Sequence, residues 1–256
     1  MDMSGEGHTR RNAAMRFRHV VLEGPIGVGK TTLARALAEH WGARLVLEHA
    51  ADNPYLERFY QHMGGQGAGR GNPLALPTQL SFLFDRVEQL KELAQPGMFE
   101  RGVVSDFLFA KDRIFALLTL GDEDLALYQQ IYKRHSAQAT APDLVIWLQA
   151  EPDVLMARIK KRGLAAERGL SEEYLRALAD GYHRYFANHR ASPVLAVNTD
   201  AFHPAENRDD FQRLLERIER FRGPFEFYDP PDRPGRAASG LAGKAGKGSS
   251  SGLIIS

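Results

Sequence analysis

The sequence predicts an α/β protein in which helices cover both faces of a five-stranded parallel sheet. Short apolar runs alternate with stretches of helical apolar periodicity, and this alternation is typical of parallel strand–helix–strand units. A glycine-rich loop follows the first apolar run and opens the first helix. The chain has 256 residues, 43% of them hydrophobic and 25% charged, which suffices for one domain with a substantial core.

The predicted strands place two carboxylates at positions where ligands usually bind. The strands are His19–Leu22, Arg44–Leu47, Val103–Val104, Asp143–Leu148 and Val194–Val197. Ligands of such sheets bind at the carboxyl ends of the strands. Glu48 follows the second strand and Asp106 follows the third. We expect both to take part in chemistry, with a helix cap or a turn as the alternative role for each.

The loop after the first strand has the spacing G-x-x-x-x-G-K-[ST] of a phosphate-binding loop. Its glycines let backbone N–H groups converge on phosphate oxygens, and the positive end of the following helix favours the same anion. Lys30 is expected to reach the terminal phosphates, and the Thr31 hydroxyl is placed for Mg²⁺. The predicted nucleotide-binding residues are Gly24, Gly27, Val28, Gly29, Lys30, Thr31 and Thr32. The motif predicts that a nucleoside triphosphate binds, and an ordinary glycine-rich turn is the alternative.

A helix from Thr78, as its N-cap, to about Ala94 carries the expected acceptor site. Its apolar stripe, which is predicted to face the core, comprises Leu80, Leu83, Phe84, Val87, Leu90 and Ala94. A neighbouring stripe at i, i+3 and i+7 holds Gln79, Phe82 and Arg86. An amide, an aromatic ring and a guanidinium suit a planar polar heterocycle. In the alternative interpretation Phe82 is core and the two polar side chains are solvated.

A second helix is expected to carry an arginine-bearing lid over residues 158–169. Arg158 and Arg162 lie four residues apart on a helix that Gly163 ends. A short loop with Glu167 and Arg168 follows, before a helix that begins after Ser171. Such a segment can close over a phosphate in transfer. The alternative is a basic helix end that complements the helix dipole.

Composition excludes several other classes of function. The sequence holds no cysteine, so disulfides, thiolate catalysis and cysteine zinc sites are excluded. The net charge of +1 gives no general attraction to nucleic acid, and no apolar run is long enough to cross a bilayer. We expect a cytoplasmic protein with a disordered leader over 1–16, a folded domain over 17–231 with a glycine-rich insertion at 64–72, and a disordered tail over 232–256.

Taken together and in order, these motifs resemble the deoxyribonucleoside kinase family, in particular its bacterial deoxyadenosine/deoxyguanosine kinase branch. The resemblance covers about residues 18–230. It depends on Gly24–Thr32, Glu48, Asn53–Tyr60, Gln79–Leu83, Asp106 with Ile114–Ala116, Pro142–Ile146 and Arg158–Gly163.

The resemblance implies a three-layer P-loop kinase fold and a homodimer built from helices near 79–94 and 112–135. It also implies ATP-dependent, Mg²⁺-assisted phosphorylation of a deoxynucleoside at its 5′-OH in nucleotide salvage, with a purine preferred. It gives Glu48 the role of general base, Gln79 that of reading the base edge, and Tyr60 that of contacting the sugar 3′-OH. It further implies that Asp106 helps to hold Mg²⁺, that Phe115 stacks on the base, and that Arg158, Arg162 and Glu167 belong to the lid.

The sequence departs from the family pattern at three places. Phe107 follows Asp106 where an arginine is common, so that role is either lost or taken by Lys111, Arg113 or Arg86. Leu164 replaces a third lid arginine, for which Arg168 is a substitute. The glycine-rich insertion separates the expected tyrosine from the helix with the acceptor site, which leaves the identity of the sugar-contacting tyrosine open.

Two other functions remain open at this point. A nucleoside monophosphate kinase, such as a thymidylate kinase, shares the loop and the sheet but needs cations at its acceptor site, and Arg86 and Arg113 would fit that need. A nucleotide-sensing module without turnover would fit the missing arginine after Asp106.

Overall fold

A computed structural model describes residues 15–63, 71–95, 101–136 and 139–230. Most of the predicted leader and insertion, and all of the predicted tail, lie outside these ranges, so the predictions made for them stay predictions. The described part begins at Met15, and the Arg16 guanidinium donates a hydrogen bond of 2.6 Å to the carbonyl of Phe221.

The sheet consists of six parallel strands in the order β2-β3-β1-β4-β5-β6. The strands are β1 (His19–Glu23), β2 (Arg44–Val46), β3 (Val103–Ser105), β4 (Leu144–Gln149), β5 (Val194–Asn198) and β6 (Phe225–Tyr228). The predicted α/β class with a parallel sheet is confirmed. The central strands β1, β4 and β5 are buried almost completely, as their continuous apolar runs predict.

The prediction of five strands is wrong by one, because β6 was not recognised. This strand lies at the edge of the sheet beside β5, and its side chains alternate between exposed and half-buried. Phe225 and Phe227 are about half exposed. A prediction from buried apolar runs therefore misses this strand, because its residues alternate as in a strand at the edge of a sheet.

Eight helices connect the strands within the described ranges and cover both faces of the sheet. They are α1 (Lys30–Trp41), α2 (Leu56–Met63), α3 (Ala75–Leu93), α4 (Lys111–Thr119), α5 (Asp122–Ser136), α6 (Pro152–Arg162), α7 (Glu172–Asn188) and α8 (Arg208–Arg220). Helices α1 and α8 meet through the rings of His40 and Phe211, whereas α4 packs against α3 and α7. None of these described helices combines the length and apolar character that a membrane crossing requires.

Helix α3 begins earlier than predicted. Thr78 lies inside the helix, where its hydroxyl donates a hydrogen bond of 2.6 Å to the carbonyl of Leu74, so its predicted role as N-cap is wrong. The side chain of Asn72 instead accepts from the N–H of Leu74, at the start of the segment. Of the predicted apolar stripe, Phe84 is 49% exposed and does not belong to the core.

The two helices around the predicted lid end and begin as expected. Gly163 ends α6 with φ at +70°, in the left-handed region that favours glycine. The Ser171 hydroxyl caps α7 by accepting a hydrogen bond of 3.1 Å from the N–H of Tyr174. These two caps mark the ends of the segment that connects α6 to α7.

Candidate active site

The phosphate loop between β1 and α1 has a backbone that only glycine can adopt. Gly24, Gly27 and Gly29 have φ angles of +146°, +85° and +100°. A Cβ atom on Gly24 would lie 2.3 Å from the carbonyl oxygen of Leu148. Helix α1 begins at Lys30 with neither a side-chain cap nor an acidic residue in its first turn. Its N–H groups and positive end therefore fit the phosphates of a nucleotide.

Two side chains of α1 connect this loop to its surroundings. The ammonium of Lys30 donates to the carbonyls of Gly24 and Pro25, at 2.8 and 3.1 Å. Burial, and then the nearby Lys111 ammonium, lower the pKa of Lys30 to about 8. The Thr31 hydroxyl donates a hydrogen bond of 2.5 Å to the carboxylate of Asp106. A hydroxyl and a carboxylate oxygen are hard ligands of the kind that Mg²⁺ prefers.

Asp106 also joins the loop to the end of β2. While one carboxylate oxygen accepts from Thr31, the other accepts a hydrogen bond of 2.7 Å from the backbone N–H of Glu48. Asp106 itself is buried. The two carboxylates selected from the sequence are therefore neighbours, as expected for residues at the same edge of a parallel sheet.

The carboxylate of Glu48 lies between two cations. One oxygen accepts a hydrogen bond of 2.6 Å from the Lys111 ammonium, and the other is paired with the Arg86 guanidinium. Burial acts to raise the pKa of Glu48, but Lys111 and then Arg86 lower that pKa to about 2. Glu48 is therefore charged at neutral pH although only 14% of its side chain is exposed.

A cavity of about 160 Å³ brings most of the predicted site residues together. Residues from the phosphate loop, the end of β2, helices α2, α3 and α4 and the lid line it. The predicted site residues among them are Gly27, Lys30, Thr31, Glu48, Tyr60, Gln79, Phe82, Arg86, Asp106, Phe115, Arg162 and Glu167. The phosphate loop and the predicted acceptor residues thus line the same cavity.

The polar stripe of α3 points into this cavity. Gln79 and Arg86 are each 2% exposed, so the interpretation that they are solvated is wrong. The carbonyl oxygen of the Gln79 amide is buried without a hydrogen-bond partner among the described residues. The Arg86 guanidinium lies 5.3 Å from the centre of the Phe82 ring. An unpaired buried acceptor beside two aromatic rings, Phe82 and Phe115, suits a heterocycle with N–H donors.

The lid packs on α2 at the side of the cavity formed by Tyr60. Tyr60 is buried, and its ring lies 6.4 Å from that of Tyr174. Gly169 approaches so closely that a Cβ atom there would lie 2.1 Å from the carbonyl oxygen of Tyr60. Arg162 and Glu167 pair through two contacts, of 2.5 and 3.2 Å, inside the lid. Arg162 and Glu167 thus line the cavity from the lid.

Only one of the two predicted lid arginines lines the cavity of Glu48. Arg162 lines it and Arg158 does not. The Arg158 guanidinium instead contacts the hydroxyl and the carbonyl of Thr199. Arg158, Arg162 and Thr32 line a second cleft, of about 630 Å³, beside the phosphate loop. Arg168 is exposed and lines neither cleft.

The sequence interpretation missed two residues around the site. Asp112 is buried and pairs with Arg86, and its other carboxylate oxygen has no partner among the described residues; burial raises its pKa to about 6 despite the pairing. Glu23 accepts hydrogen bonds from Gly24, Leu108 and Tyr182 and so holds the phosphate loop. The sequence names Lys111 only as a candidate for the missing arginine, not as a partner of Glu48. Lys111 and Asp112 lie in the first turn of α4, a place where sequence alone predicts exposure.

The structure also shows which of the three candidate cations could take the role of the arginine that is common after Asp106 in the family. Phe107 is 2% exposed and belongs to the core. Lys111 and Arg86 both contact Glu48, whereas the Arg113 guanidinium lies 5.9 Å from the Tyr132 ring, outside the cavity.

The sequence profile of the family described as "Deoxynucleoside kinase" matches residues 20–222. The chain belongs to the deoxynucleoside kinase family. It is 31% identical to a deoxyguanosine kinase of Bacillus subtilis (strain 168), over 78% of this chain and 95% of that protein. It is 32% identical to a deoxyadenosine kinase of Dictyostelium discoideum, over 72% of this chain and 73% of that one.

The fold is also that of a solved deoxynucleoside kinase. The structure of deoxyadenosine kinase from M. mycoides with products dCMP and a flexible dCDP bound superposes with a TM-score of 0.64 at 23% identity. That match covers 79% of this chain and all of the other. The protein is thus a phosphotransferase with an alcohol acceptor, and it takes its phosphate from a nucleotide.

Proposed function

We propose that this deoxynucleoside kinase transfers the γ-phosphate of ATP to the 5′-OH of a purine deoxynucleoside in nucleotide salvage. The observation that carries the proposal is the position of Glu48, a charged carboxylate that shares one cavity with Lys30 and Thr31 of the phosphate loop. An alcohol is a poor nucleophile, so a carboxylate that takes its proton is expected to contribute about 10²–10⁴ in rate.

The other groups of the loop act on the phosphates. The N–H groups at the start of α1 and the Lys30 ammonium bind the donor phosphates, and Arg162 stabilises the charge that builds up on the transferred group. Thr31 and Asp106 would hold Mg²⁺, which fits their oxygen donors. When bound, Mg²⁺ neutralises negative charge on the phosphates.

The acceptor base is oriented by α3 and α4. Gln79 reads its edge, Phe82 and Phe115 lie against its ring, and Tyr60 contacts the sugar. Support for a base with amino groups comes from two buried acceptor oxygens that have no partner among the described residues, on Gln79 and Asp112, both in residues that line the cavity. The preference for a purine is supported by the relatives, which are named deoxyguanosine and deoxyadenosine kinases.

The nucleoside moiety of ATP would occupy the second cleft. Thr32 and Arg158 line this cleft next to Gly27 and Gly29, so a nucleotide held by the loop can extend into it. Arg158 then acts at the donor nucleotide, whereas Arg162 lines both clefts and acts between donor and acceptor. Arg168 is exposed in the lid. We propose that it contacts the donor nucleotide only when that nucleotide is bound.

We also propose a cytoplasmic homodimer. Exposed apolar side chains on α3 and α5, Phe84 and Leu127, lie within the helices that the family resemblance assigns to a dimer interface. A cytoplasmic location fits the use of ATP as phosphate donor.

The alternative of a nucleoside monophosphate kinase is less supported. An acceptor phosphate needs free cations, but the two terminal nitrogens of Arg86 are paired with Glu48 and Asp112. Arg113 lies outside the cavity.

A substrate panel tests the proposed function. The protein is incubated with ATP, Mg²⁺ and each of the four natural deoxynucleosides or their monophosphates, and the products are separated by chromatography. We expect 5′-monophosphates from deoxyadenosine and deoxyguanosine above those from the pyrimidines. Formation of diphosphates alone would favour the monophosphate kinase, and no ATP consumption with any acceptor would favour a sensing module.

A further inference from the structure

Lys111 is a buried lysine of the active cavity that the mechanism above does not use. Its side chain is 6% exposed and comes from the first turn of α4. Its ammonium lies 2.6 Å from one carboxylate oxygen of Glu48 and 5.5 Å from the centre of the Phe115 ring. It lines the same cavity as Lys30 of the phosphate loop, whose pKa is lowered by burial and then by the charge of Lys111.

The two cations at Glu48 are not equivalent. Arg86 is shared between two carboxylates, those of Glu48 and Asp112, which fix its guanidinium on both sides. Lys111 contacts Glu48 only through its ammonium, and it lines the same cavity as Lys30. A lysine is a compact charge on a flexible stem, so its ammonium can change partner where a guanidinium held at two points cannot.

We propose that Lys111 positions Glu48 in the free enzyme and, when the acceptor hydroxyl takes its place at the carboxylate, turns its ammonium to the transferred phosphoryl group. This inference rests on the proposed role of Glu48 as general base. Each carboxylate oxygen of Glu48 has a second lone pair, but two cations already contact this carboxylate within a cavity of about 160 Å³, so an acceptor hydroxyl displaces one of them. The contact to Lys111 opens, and the released charge remains in the cavity beside Lys30.

The physical consequence is that the charge of Lys111 acts mainly in the transition state. Negative charge spreads over the oxygens of the phosphoryl group during transfer, and a cation already positioned there stabilises it. Loss of such a cation lowers kcat with little change in KM, whereas loss of a merely structural contact lowers the amount of folded protein.

The first test compares Lys111→Met with Lys111→Arg. We expect Lys111→Met to lose about 10²-fold in kcat with KM for both substrates within about threefold of wild type. Lys111→Arg, which keeps the charge, should retain kcat within about tenfold. Arg113→Met is the matched control, because it removes an exposed cation two residues away on α4, and its kcat should equal that of wild type.

The absence of cysteine from the chain permits a second test by chemical rescue. Lys111→Cys is alkylated in urea with 2-bromoethylamine, which forms a C–S bond with loss of bromide and a proton, and is then refolded. This adduct restores an ammonium at nearly the length of lysine. Iodoacetamide gives a neutral adduct for comparison, and wild type taken through the same treatment is the control.

The outcomes separate this inference from the proposed function. Recovery of kcat with the aminoethyl adduct and not with the neutral adduct would support the role of the Lys111 charge. Equal recovery with both adducts, or a kcat above a third of wild type in Lys111→Met, would overturn it. Failure of the wild-type protein to phosphorylate any deoxynucleoside would instead contradict the proposed function.

Discussion

At the scale of single residues, Glu48 shows how a buried charge is kept. Removing a carboxylate from water costs several kcal/mol, and only well-placed cations and hydrogen bonds offset that cost. Lys111 and Arg86 each contact one of its oxygens. The place of Glu48 after the second strand and the family resemblance both identified it, and the sequence also named Arg86 and Lys111, but nothing in the sequence indicated that these two cations, 38 and 63 residues further along the chain, contact Glu48.

The lowered pKa of Glu48 predicts a pH dependence of stability. The pKa of Glu48 is about 2 in the folded protein and 4.5 for a solvated glutamate, so the unfolded chain binds the proton more readily. The resulting stabilisation is fully present above pH 4.5 and is lost as pH falls towards 2. We expect the free energy of unfolding of wild type, measured with urea, to fall more steeply across this window than that of Glu48→Gln. Parallel pH curves for the two proteins would contradict the assignment of charge.

Gly27 predicts a second effect at a single residue. Its φ is +85°, and a Cβ atom would lie 2.8 Å from a side-chain carbon of Ile159. We expect Gly27→Ala to lower the free energy of unfolding by about 1–3 kcal/mol and to weaken ATP binding. Gly121→Ala is the control, because no atom lies within 4 Å of its added Cβ. Urea unfolding and calorimetric titration with ATP measure both effects, and equal values for the two variants would refute the account of the loop.

At the scale of elements, periodicity predicted helix faces better than helix ends. The stripe of Gln79, Phe82 and Arg86 was predicted from spacing, and all three line the cavity. The start of α3 was misplaced at Thr78 because a threonine before an apolar stretch has the pattern of a cap whether or not the helix has already begun. The caps Gly163 and Ser171 were predicted correctly, since each stands beside a clear break in periodicity.

The cap of α7 supports a prediction about the lid. The Ser171 hydroxyl accepts the N–H of Tyr174, so Ser171→Ala should cost about 0.5–2 kcal/mol in the free energy of unfolding. Ser136→Ala removes a hydroxyl whose contact, to the carbonyl of Lys133, is exposed, and it should cost much less. Urea denaturation of both variants measures the difference. A cost for Ser136→Ala as large as that for Ser171→Ala would argue against the cap.

At the scale of the whole molecule, the order of motifs along the chain was sufficient to predict the fold. The parallel sheet brings Glu48 and Asp106 to the same edge, so their proximity followed from topology. Topology did not predict which side chains are buried or in which direction each side chain points. Arg158 and Arg162 share a helix face by spacing, and both line the second cleft, but only Arg162 also lines the cavity of Glu48, a difference that no local pattern encodes.

The proposed homodimer gives a prediction about the whole molecule. Leu127 lies on α5 and is 47% exposed, and Phe225 lies on β6 with a similar exposure of 48%. We expect Leu127→Asp to dissociate the dimer because a charge in an apolar interface stays unpaired, whereas Phe225→Asp should leave it intact. Sedimentation equilibrium gives the masses. A monomeric wild type, or a dimer that tolerates Leu127→Asp, would contradict the proposed interface.

The position of Glu48 in the cavity is the claim on which the proposed mechanism depends. Its direct test is the turnover of Glu48→Gln with ATP and deoxyguanosine, measured beside the affinity of the variant for ATP. We predict that ATP affinity is unchanged and that kcat falls at least about a hundredfold, because the amide cannot accept the hydroxyl proton. A kcat near that of wild type in a variant that binds ATP normally would contradict the account.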